Sequence, residues 1–554
     1  MTTIPALVAA HAAARPGTVI LRRKDRGIWH AITWAELAAR IQAIGTAIAA
    51  CLRPGEIAGI LGETSPDWIA IDLAIQGAGA ISLGLTPTDG ADATADTLAA
   101  AGCRLLFVEN EEQLDKVLHI RARCPSLTRI VIMDMKGLRD FADPSCTSLA
   151  DFAATPGDPA AWADAIAALR PDAIAVLAAT MGTAGPPALV ALSHANLMAQ
   201  AAGIAALTGQ TDQDERLAFL PLSLITERVF GLYAALHAGT VSNVVESAET
   251  VPENLAELRP TIMFAIPRVW EKLHAAVTIA TSGATWLQRT LYRWATRHPG
   301  PLADALVLRP VRRAIGLDRL RLAFTGAAPI SAELVAWYRT HGIALRDVYG
   351  TAECGGVAAI GTAVPWGEIA LAGDEIRIRG PHVCAGFWRD GAVIPATDAQ
   401  GWLPTGDLGR IDAGQLTLTG RTGETLTAGG RQILPASFET AVKLSPYIAD
   451  AVLVAGPSGL ACLVMLEFDA VEKWAQDRNL NATSAASLAR AAPVLALIAA
   501  ELAARAPATP LIGFRILARR IAPEDPEVTA TMRLRRHYVL SQYQDLIEEM
   551  YRAA

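Results

Sequence analysis

A loop of small residues constrains the fold of this chain more than any other segment. The loop, TMGTAGPPALVALSH, spans residues 180–194 and follows an apolar run at 173–177 that is predicted to be a buried strand. A segment with helical spacing begins near Ser193. Because glycine has no Cβ, backbone N–H groups in such a loop approach an anion closely. A strand, a glycine turn and the start of a helix therefore predict a cradle for phosphate groups.

The first 150 residues alternate between strand-like and helix-like segments. Short apolar runs at Ile57–Leu61, Ile81–Leu85 and 103–108 predict buried strands. Helices are predicted at 34–50 and 68–79. This alternation is typical of parallel sheets covered by helices. A chain of 554 residues is too long for one ordinary core, so we predict an α/β fold with one large and one small domain.

Composition argues against several classes of protein. The net charge is −7 and charges of both signs are scattered, which argues against nucleic acid as a partner. Polar or turn residues interrupt the longest apolar stretches, so no transmembrane helix is predicted. The N-terminus lacks the pattern of a cleaved signal peptide. Seven dispersed cysteines without CxxC spacing predict reduced thiols in a cytoplasmic protein, with no disulfide framework and no zinc site.

Five segments resemble, in order and spacing, the signature motifs of the AMP-forming acyl-CoA synthetases, and the resemblance covers essentially the whole chain. The small-residue loop is similar to the family motif YTSGTTGxPKGVxLSH. Aligned without gaps, the chain keeps Thr180, Gly182, Thr183, Gly185, Pro187, Val190, Leu192, Ser193 and His194. The resemblance implies the family's fold, in which a large N-terminal domain of βα-layered sheets precedes a small, mobile α+β C-terminal domain.

The same loop lacks most polar side chains of the family motif. Met181 stands at its serine, Ala184 at its second threonine and Ala188 at its lysine. In a later motif, YGTAE, Ala352 stands where the family has another threonine that contacts phosphate. Lysine is rare in this chain, but a bias towards arginine does not explain an alanine at position 188. The frame of a nucleotide site is therefore present, while much of its phosphate chemistry is missing.

A segment after the loop indicates the branch of the family. FLPLSLITERVFGLY, residues 219–233, is similar to the long-chain motif LPLxHxxER. Glu227 and Arg228 match that motif, and Leu224 replaces its histidine. TIMFAIPRVWEKL, residues 261–273, also fits this branch. The chain therefore resembles long-chain fatty acyl-CoA synthetases, also called fatty acid–CoA ligases.

The resemblance assigns a nucleotide-binding site to residues from several motifs. They are Thr180, Gly182, Thr183, Gly185, Gly326, Ala327, Ala328, Tyr349, Asp407 and Arg421. In this assignment Tyr349 stacks near the adenine, and Asp407 binds the ribose with Arg421 as its partner. A carboxylate suits a ribose because it accepts hydrogen bonds from two vicinal hydroxyls. Glu353 is assigned to catalysis and to the coordination of Mg²⁺.

The resemblance also divides the chain into domains. It places a hinge at residues 420–424, between an N-terminal domain of residues 1–419 and a C-terminal domain of residues 425–554. The coenzyme A channel is assigned to Gly429, Gly430 and Arg431. Arg533 stands at the family's catalytic lysine. Arginine keeps the positive charge, but its planar fork places that charge differently from a compact ammonium group.

The family reaction has two steps: a carboxylate attacks the α-phosphate of ATP to give an acyl adenylate, and a thiol then displaces AMP. The implied cofactors are ATP and AMP, Mg²⁺ and coenzyme A, and the implied partner is a fatty acid or acyl-CoA. Because phosphate ligands are depleted, we expect an ATP-dependent step that is weakened or lost. Two alternatives stay open: a noncatalytic sensor or scaffold that binds AMP or acyl-CoA, and a fully active ligase. Homodimer formation and loose association with a membrane also stay open.

Overall fold

Two large mixed sheets organise the protein. The structure, a computed structural model, describes residues 3–154, 158–180, 188–428, 430–482, 484–505, 510–521, 525–529 and 534–552, with only the backbone of Pro159 and Arg431. Within these residues two nine-stranded sheets, a four-stranded, a three-stranded and a two-stranded sheet are present. Helices lie between and around them. The predicted α/β class is confirmed.

The first sheet presents one edge at which several parallel strands end. Its strands, in spatial order, are Thr362–Ala363, Ala359–Ile360, Leu345–Tyr349, Leu322–Gly326, Ile262–Ala265, Glu215–Ala218, Val241–Val244, Val19–Asp25 and Ile28–Thr33. The strands from Leu345–Tyr349 to Val19–Asp25 pair in parallel. In α/β proteins ligands bind outside the carboxyl ends of such strands.

The second sheet contains the predicted strands of the N-terminal region. Its order is Ala392–Ile394, Gly386–Arg389, Leu189–Ser193, Ile174–Ala179, Ile81–Leu85, Ile57–Leu61, Leu105–Val108, Arg129–Ile132 and Cys146–Ser148. The strands from Ile174–Ala179 to Cys146–Ser148 are parallel. The remaining pairs are antiparallel.

The last residues of the predicted small-residue loop form a strand. Leu189–Ser193 is a fully buried strand that pairs antiparallel with Ile174–Ala179, and the helix begins at His194. Ser193 is the N-cap, and its hydroxyl accepts a hydrogen bond from the backbone N–H of Asn196 at 3.2 Å. The helix predicted near Ser193 is therefore confirmed, but the apolar end of the predicted loop, residues 189–193, forms a strand before it.

The helices have the following bounds. In chain order they are Ile4–Ala14, Trp34–Cys51, Pro66–Gly77, Ala91–Ala101, Glu111–Ile120, Leu149–Ala153, Pro159–Ala167, His194–Thr208, Ala234–Ala238, Val251–Leu258, Pro267–Ser282, Trp286–Arg297, Pro301–Ala303, Arg309–Ala314, Ala332–Thr340, Pro435–Val442, Phe468–Gln476, Ala485–Leu488, Ala492–Arg505, Arg536–Gln542 and Gln544–Arg552. None of the helices within these described ranges is both long and apolar enough to cross a bilayer.

The main core lies between the two nine-stranded sheets. It joins side chains from both sheets, such as Val176 and Phe264, with helices Pro66–Gly77 and His194–Thr208. A charged network is buried in this core, where Arg228 forms an ion pair with Asp72. The Arg228 guanidinium also donates to Ser82 Oγ at 2.6 Å and to the Tyr233 hydroxyl at 2.9 Å. These bonds satisfy a charge pair whose burial would otherwise be costly.

The last part of the chain has its own sheets and core. Leu426–Ala428 pairs with Arg431–Ile433, and the three-stranded sheet consists of Ile448–Gly456, Gly459–Leu466 and Leu511–Ile516. Helix Ala492–Arg505 covers one face of the three-stranded sheet, and helix Gln544–Arg552 covers the other. A separate core is what a C-terminal domain requires. The division at residues 420–424 stays a prediction.

Candidate functional site

A cleft of about 660 Å³ opens at the carboxyl ends of three parallel strands of the first sheet. Ile266, Ala327 and Gly350 each follow one of these strands and line the cleft. Its opposite wall comes from an antiparallel sheet of Glu368–Ala372, Glu375–Arg379, Leu403–Asp412 and Gln415–Arg421. Most of the residues predicted to bind a nucleotide are found around this cleft. The lining includes Thr180, Ala327, Ala328, Tyr349, Glu353, Asp407 and Arg421.

A carboxylate, a guanidinium and a phenol meet on the wall of the cleft. Asp407 and Arg421 are direct neighbours on antiparallel strands, and Arg421 Nε lies 3.6 Å from Asp407 Oδ1. The Tyr349 hydroxyl donates to Asp407 Oδ2 at 3.1 Å. Burial, and then the charge of Asp407, raise the pKa of Tyr349, so the phenol stays protonated and remains a donor. The Asp407 side chain is 16% exposed, which leaves it accessible from the cleft.

An irregularity in strand Leu403–Asp412, just before Asp407, fixes the position of the carboxylate. Thr405 Oγ1 accepts a hydrogen bond from the backbone N–H of Asp407 at 3.1 Å and donates to the carbonyl of Ile376 at 2.7 Å. Glu375 accepts from the backbone N–H of Gly406 at 3.1 Å. Gly406 has a φ of +71°, a conformation that glycine adopts without strain. Residues 405–407 are therefore held in place by two contacts with the neighbouring strand Glu375–Arg379.

Asp347 is a further carboxyl group in the cleft, and the sequence analysis did not single it out. Asp347 lies two residues before Tyr349 on strand Leu345–Tyr349, and both line the cleft. Its carboxyl is open to the cleft yet surrounded by the cleft walls, and this partial desolvation raises the pKa of Asp347 to about 6. The sequence did carry a signal for this residue: Asp347 and Tyr349 are two positions apart, and that spacing places both side chains on one face of a strand.

One wall of the cleft is apolar. It is formed by Leu220, Leu224, Ile225, Phe264 and Ile266. Phe230 packs behind this wall, with its ring 5.0 Å from that of Phe264. Leu224 thus places an apolar side chain where the resemblance predicts histidine. The cleft combines a polar end and an apolar wall, which is the usual composition of a site for an amphiphilic small molecule.

Glu353 and Ala352 occupy a short turn that faces the cleft. The backbone carbonyl of Glu353 accepts a hydrogen bond from the N–H of Cys384 at 2.7 Å, which anchors the turn to a neighbouring segment. Within the described part of the chain, the Glu353 carboxylate has no hydrogen-bond or ion-pair partner. Ala352 presents a methyl group to the cleft at the position of the family's threonine. This turn therefore offers a carboxylate without the neighbouring hydroxyl.

The other predicted site residues fall in three groups. Gly326 ends strand Leu322–Gly326 beside the cleft, where a Cβ would lie 2.8 Å from the carbonyl of Val348. Gly430 has a φ of +74° before strand Arg431–Ile433, and it is not among the described residues that line the cleft. Outside the described residues lie Gly182, Thr183, Gly185, Gly429 and Arg533, together with the side chain of Arg431.

Comparison with known proteins identifies the family. Residues 8–388 match the family described as AMP-binding enzyme. The chain is 29% identical to the long-chain-fatty-acid–CoA ligase FadD15 of Mycobacterium tuberculosis, over 99% of this chain and 97% of that protein. It is 32% identical to the putative fatty-acid–CoA ligase fadD11 of the same species, over 75% of this chain and 80% of that protein.

The comparison with solved structures agrees with the fold. The A-PCP didomain of a carboxylic acid reductase from Segniliparus rugosus, solved in complex with AMP, superposes with a TM-score of 0.78 at 19% identity. The superposition covers 99% of this chain and 82% of the other. By sequence and by fold, the chain belongs to the AMP-binding enzymes, in their fatty acid–CoA ligase branch.

Proposed function

We propose that this chain is a long-chain fatty acyl-CoA synthetase-like protein whose ATP-dependent activation step is weakened. The observation that carries the proposal is the meeting of Asp407, Tyr349 and Arg421 beside an apolar wall in one cleft. An acyl adenylate has a nucleoside at one end and a hydrocarbon chain at the other. The polar end of the cleft matches the nucleoside, and the apolar wall matches the hydrocarbon chain.

The polar end fits a nucleoside. The Asp407 carboxylate can accept hydrogen bonds from both vicinal hydroxyls of a ribose, and its bonds to Tyr349 and the nearby Arg421 orient it. Ala327 and Ala328 bring backbone and methyl groups to the same cleft, where they suit the face of an adenine. Ala327 holds a φ of +67°, a strained backbone conformation of the kind found at functional sites.

The phosphate-binding chemistry supports a weakened first step. Activation by ATP needs hydroxyls, lysine and Mg²⁺ around a triphosphate. Each lost hydrogen bond to a charged phosphate oxygen weakens binding by about 1.5–3 kcal/mol, although such losses need not add. The substituted positions are Met181, Ala184, Ala188, Ala352 and Arg533.

Glu353 is the candidate ligand for Mg²⁺. Magnesium sites in nucleotide enzymes use one or two carboxylates and take their other ligands from phosphate oxygens and water. The described residues contain no cluster of three or more metal-binding side chains, so the cation would depend on the nucleotide. The Glu353 carboxylate on the cleft wall fits this chemistry.

For the second step we propose a hinge at residues 420–424 and a coenzyme A channel at Gly429, Gly430 and Arg431. Arg421 ends the strand that carries it into the cleft, and Gly423, with a φ of +87°, lies in the turn that follows. A rotation at this turn would move the C-terminal sheets relative to the cleft. Arg533 is proposed to take the place of the family's lysine, with the charge but not the geometry of an ammonium group.

The test is fatty-acid-dependent exchange of labelled pyrophosphate into ATP, with Mg²⁺ and acids from short to very long. The matched variant restores the family residues: Met181→Ser, Ala184→Thr, Ala188→Lys, Ala352→Thr and Arg533→Lys. We expect weak or absent exchange in the unaltered protein and stronger exchange in the restored one. Vigorous exchange by the unaltered protein would contradict a weakened step and favour a fully active ligase.

The absence of a hydroxyl at Ala352 also favours a second candidate function, that of a noncatalytic protein which binds AMP or acyl-CoA. Calorimetric titration with AMP, read together with pyrophosphate exchange, distinguishes the two candidate functions. Binding of AMP together with silent exchange in both proteins would support a sensor or scaffold. Exchange in the restored protein alone would support a degraded enzyme instead.

A further inference from the structure

A two-helix hairpin projects apolar side chains into solvent. The hairpin, residues 285–314, consists of helix Trp286–Arg297 and a continuous helical stretch at 301–314. The two helices pack together through a small core of Ala295, Ala303 and Leu308. Apart from this core, few of its apolar side chains are buried.

Exposed apolar side chains are concentrated in the hairpin. Of the fourteen large apolar side chains exposed by the described residues, six lie here: Trp286, Leu287, Leu291, Trp294, Leu302 and Leu306. Trp286 is 71% exposed, and Leu302 and Leu306 are 64% and 65% exposed. Isolated exposed leucines are ordinary, but a cluster of this kind marks an interaction surface.

The spacing places these residues on single helix faces. Leu287, Leu291 and Trp294 are separated by four and three residues, which puts them on one face of the first helix. Leu302, Leu306 and Arg309 follow the same spacing on the second stretch, and all three are exposed. The first helix therefore turns an apolar stripe away from the hairpin core, and the second stretch turns two leucines and an arginine away from it.

The hairpin is strongly basic within an acidic protein. It contains six arginines and one acid, Asp304, for a local charge of +5, whereas the whole chain carries −7. Asp304 is bound by Arg312, with Arg312 Nη1 2.6 Å from Asp304 Oδ1. The other five arginines have no ion pair within 4 Å among the described residues: Arg289, Arg293, Arg297, Arg309 and Arg313.

We infer that this hairpin docks on the surface of an anionic lipid bilayer. An interfacial helix combines tryptophan and leucine, which enter the headgroup boundary, with arginines that bind lipid phosphates. A second copy of the chain is disfavoured, because a two-fold interface would place the +5 surface against itself. No residue of the hairpin lines the cleft, so lipid docking is independent of the proposed acid activation.

The test is flotation of the full chain with phosphatidylcholine vesicles that contain about three in ten phosphatidylglycerol molecules, compared with pure phosphatidylcholine vesicles. We expect binding to the anionic vesicles that weakens at high salt, because salt screens the arginines. Each arginine near an anionic surface contributes about a fivefold factor to the binding constant. The variant Arg289→Gln/Arg293→Gln/Arg297→Gln should therefore bind about 100-fold more weakly.

A second variant removes the apolar contribution. Trp286→Ser/Leu302→Ser/Leu306→Ser should lose at least about tenfold in vesicle affinity while its charge is unchanged. The matched controls carry changes at exposed residues elsewhere: Arg53→Gln/Arg170→Gln/Arg490→Gln and Ile28→Ser/Leu371→Ser/Ile394→Ser. Both controls should bind vesicles as the unaltered protein does, and the melting temperature of every variant checks that it is folded.

Several outcomes would overturn the inference. They are equal affinity for both kinds of vesicle, equal loss in the hairpin and control variants, and sedimentation as a dimer that the apolar variant converts to a monomer. Vesicle binding is measured without nucleotide or fatty acid. Its failure would therefore leave the proposed acid activation standing, and silent pyrophosphate exchange would leave lipid docking standing.

Discussion

Asp407 and Arg421 face each other across two antiparallel strands, with Arg421 Nε 3.6 Å from Asp407 Oδ1. One of these strands, Leu403–Asp412, carries a second arginine–aspartate pair, Arg410 and Asp412, which is about 70% exposed at both side chains and does not line the cleft. The two pairs share residue types, but Asp407 and Arg421 pair between strands, whereas Arg410 and Asp412 lie on one strand. They differ in burial and in their relation to the cleft, so together they form a natural control for the role of Asp407.

We expect Asp407→Ala to raise the dissociation constant for AMP by about 10- to 150-fold, which corresponds to the loss of about 1.5–3 kcal/mol in hydrogen bonds to a charged group. Asp412→Ala should leave the constant unchanged, because that carboxylate is exposed and outside the cleft. Calorimetric titration of both variants with AMP measures the difference. Equal affinities of the two variants would contradict ribose binding by Asp407.

The buried pair of Arg228 and Asp72 gives a prediction about stability. Arg228→Met alone leaves the Asp72 carboxylate buried without its cation and should cost about 3–5 kcal/mol. The double variant Arg228→Met/Asp72→Leu removes both charges and should recover part of that loss, because an apolar pair of similar volume needs no compensation. We therefore expect the melting temperature to be highest for the unaltered protein, lower for the double variant and lowest for the single variant. Scanning calorimetry measures these temperatures.

The exposed pair of Arg170 and Asp172 serves as the control for that series. Its side chains are 77% and 68% exposed, and exposed ion pairs contribute about 0–1 kcal/mol. Arg170→Met should therefore shift the melting temperature very little. If Arg228→Met proved as mild as Arg170→Met, the buried network would not contribute to the stability of the core.

The family resemblance was sufficient to predict that Tyr349, Glu353 and Asp407 lie near one another. Tyr349 ends a parallel strand of the first sheet and Glu353 follows in a turn, whereas Asp407 reaches the same cleft from a strand of the antiparallel sheet. The bond from the Tyr349 hydroxyl to Asp407 joins residues 58 positions apart, so its geometry was visible only in the fold.

Long-range pairings and local partners explain what the sequence did not reveal. Asp72 and Arg228 are 156 positions apart, and nothing in either local pattern indicates that one is the partner of the other. Strand Leu189–Ser193 was missed because the resemblance to the signature motif placed its residues in one continuous loop. Its antiparallel neighbour, Ile174–Ala179, decides the outcome.

Buried histidines should make the protein sensitive to acid. Burial lowers the pKa of His194 and of His382 to about 4. The unfolded chain binds these protons below pH about 6.5 and the folded chain does not, so stability is lost as pH falls from about 6.5 to about 4. Each histidine should cost about 1 kcal/mol between pH 6 and pH 5.

The variant His382→Gln isolates one of these contributions. It should lower the melting temperature at neutral pH, because His382 is fully buried, but it should also flatten the loss between pH 6 and pH 5. His119→Gln, at an exposed histidine, is the control and should change neither quantity. An unchanged pH dependence in His382→Gln would show that other groups cause the acid sensitivity.

Asp347 should make nucleotide affinity depend on pH. Its pKa of about 6 is raised by desolvation in the cleft, so the carboxyl is ionised at neutral pH and faces the space proposed for an anionic nucleotide. Protonation as pH falls through about 6 removes that negative charge and should strengthen the binding of AMP. Asp347→Asn removes the charge at every pH and should bind AMP more tightly than the unaltered protein above pH 6.

The measurement is the ratio of the AMP dissociation constants of the unaltered protein and Asp347→Asn. AMP titrates its own phosphate near pH 6, and this changes the ratio in the same direction, because the Asp347 carboxylate opposes a dianion more strongly than a monoanion. The ratio should fall towards one between about pH 7.5 and pH 5. Adenosine, which has no phosphate, should give a ratio that depends little on pH. A constant ratio for AMP would place Asp347 too far from the phosphate to oppose it, and the depletion of phosphate ligands would then be the sole electrostatic reason for weak ATP activation.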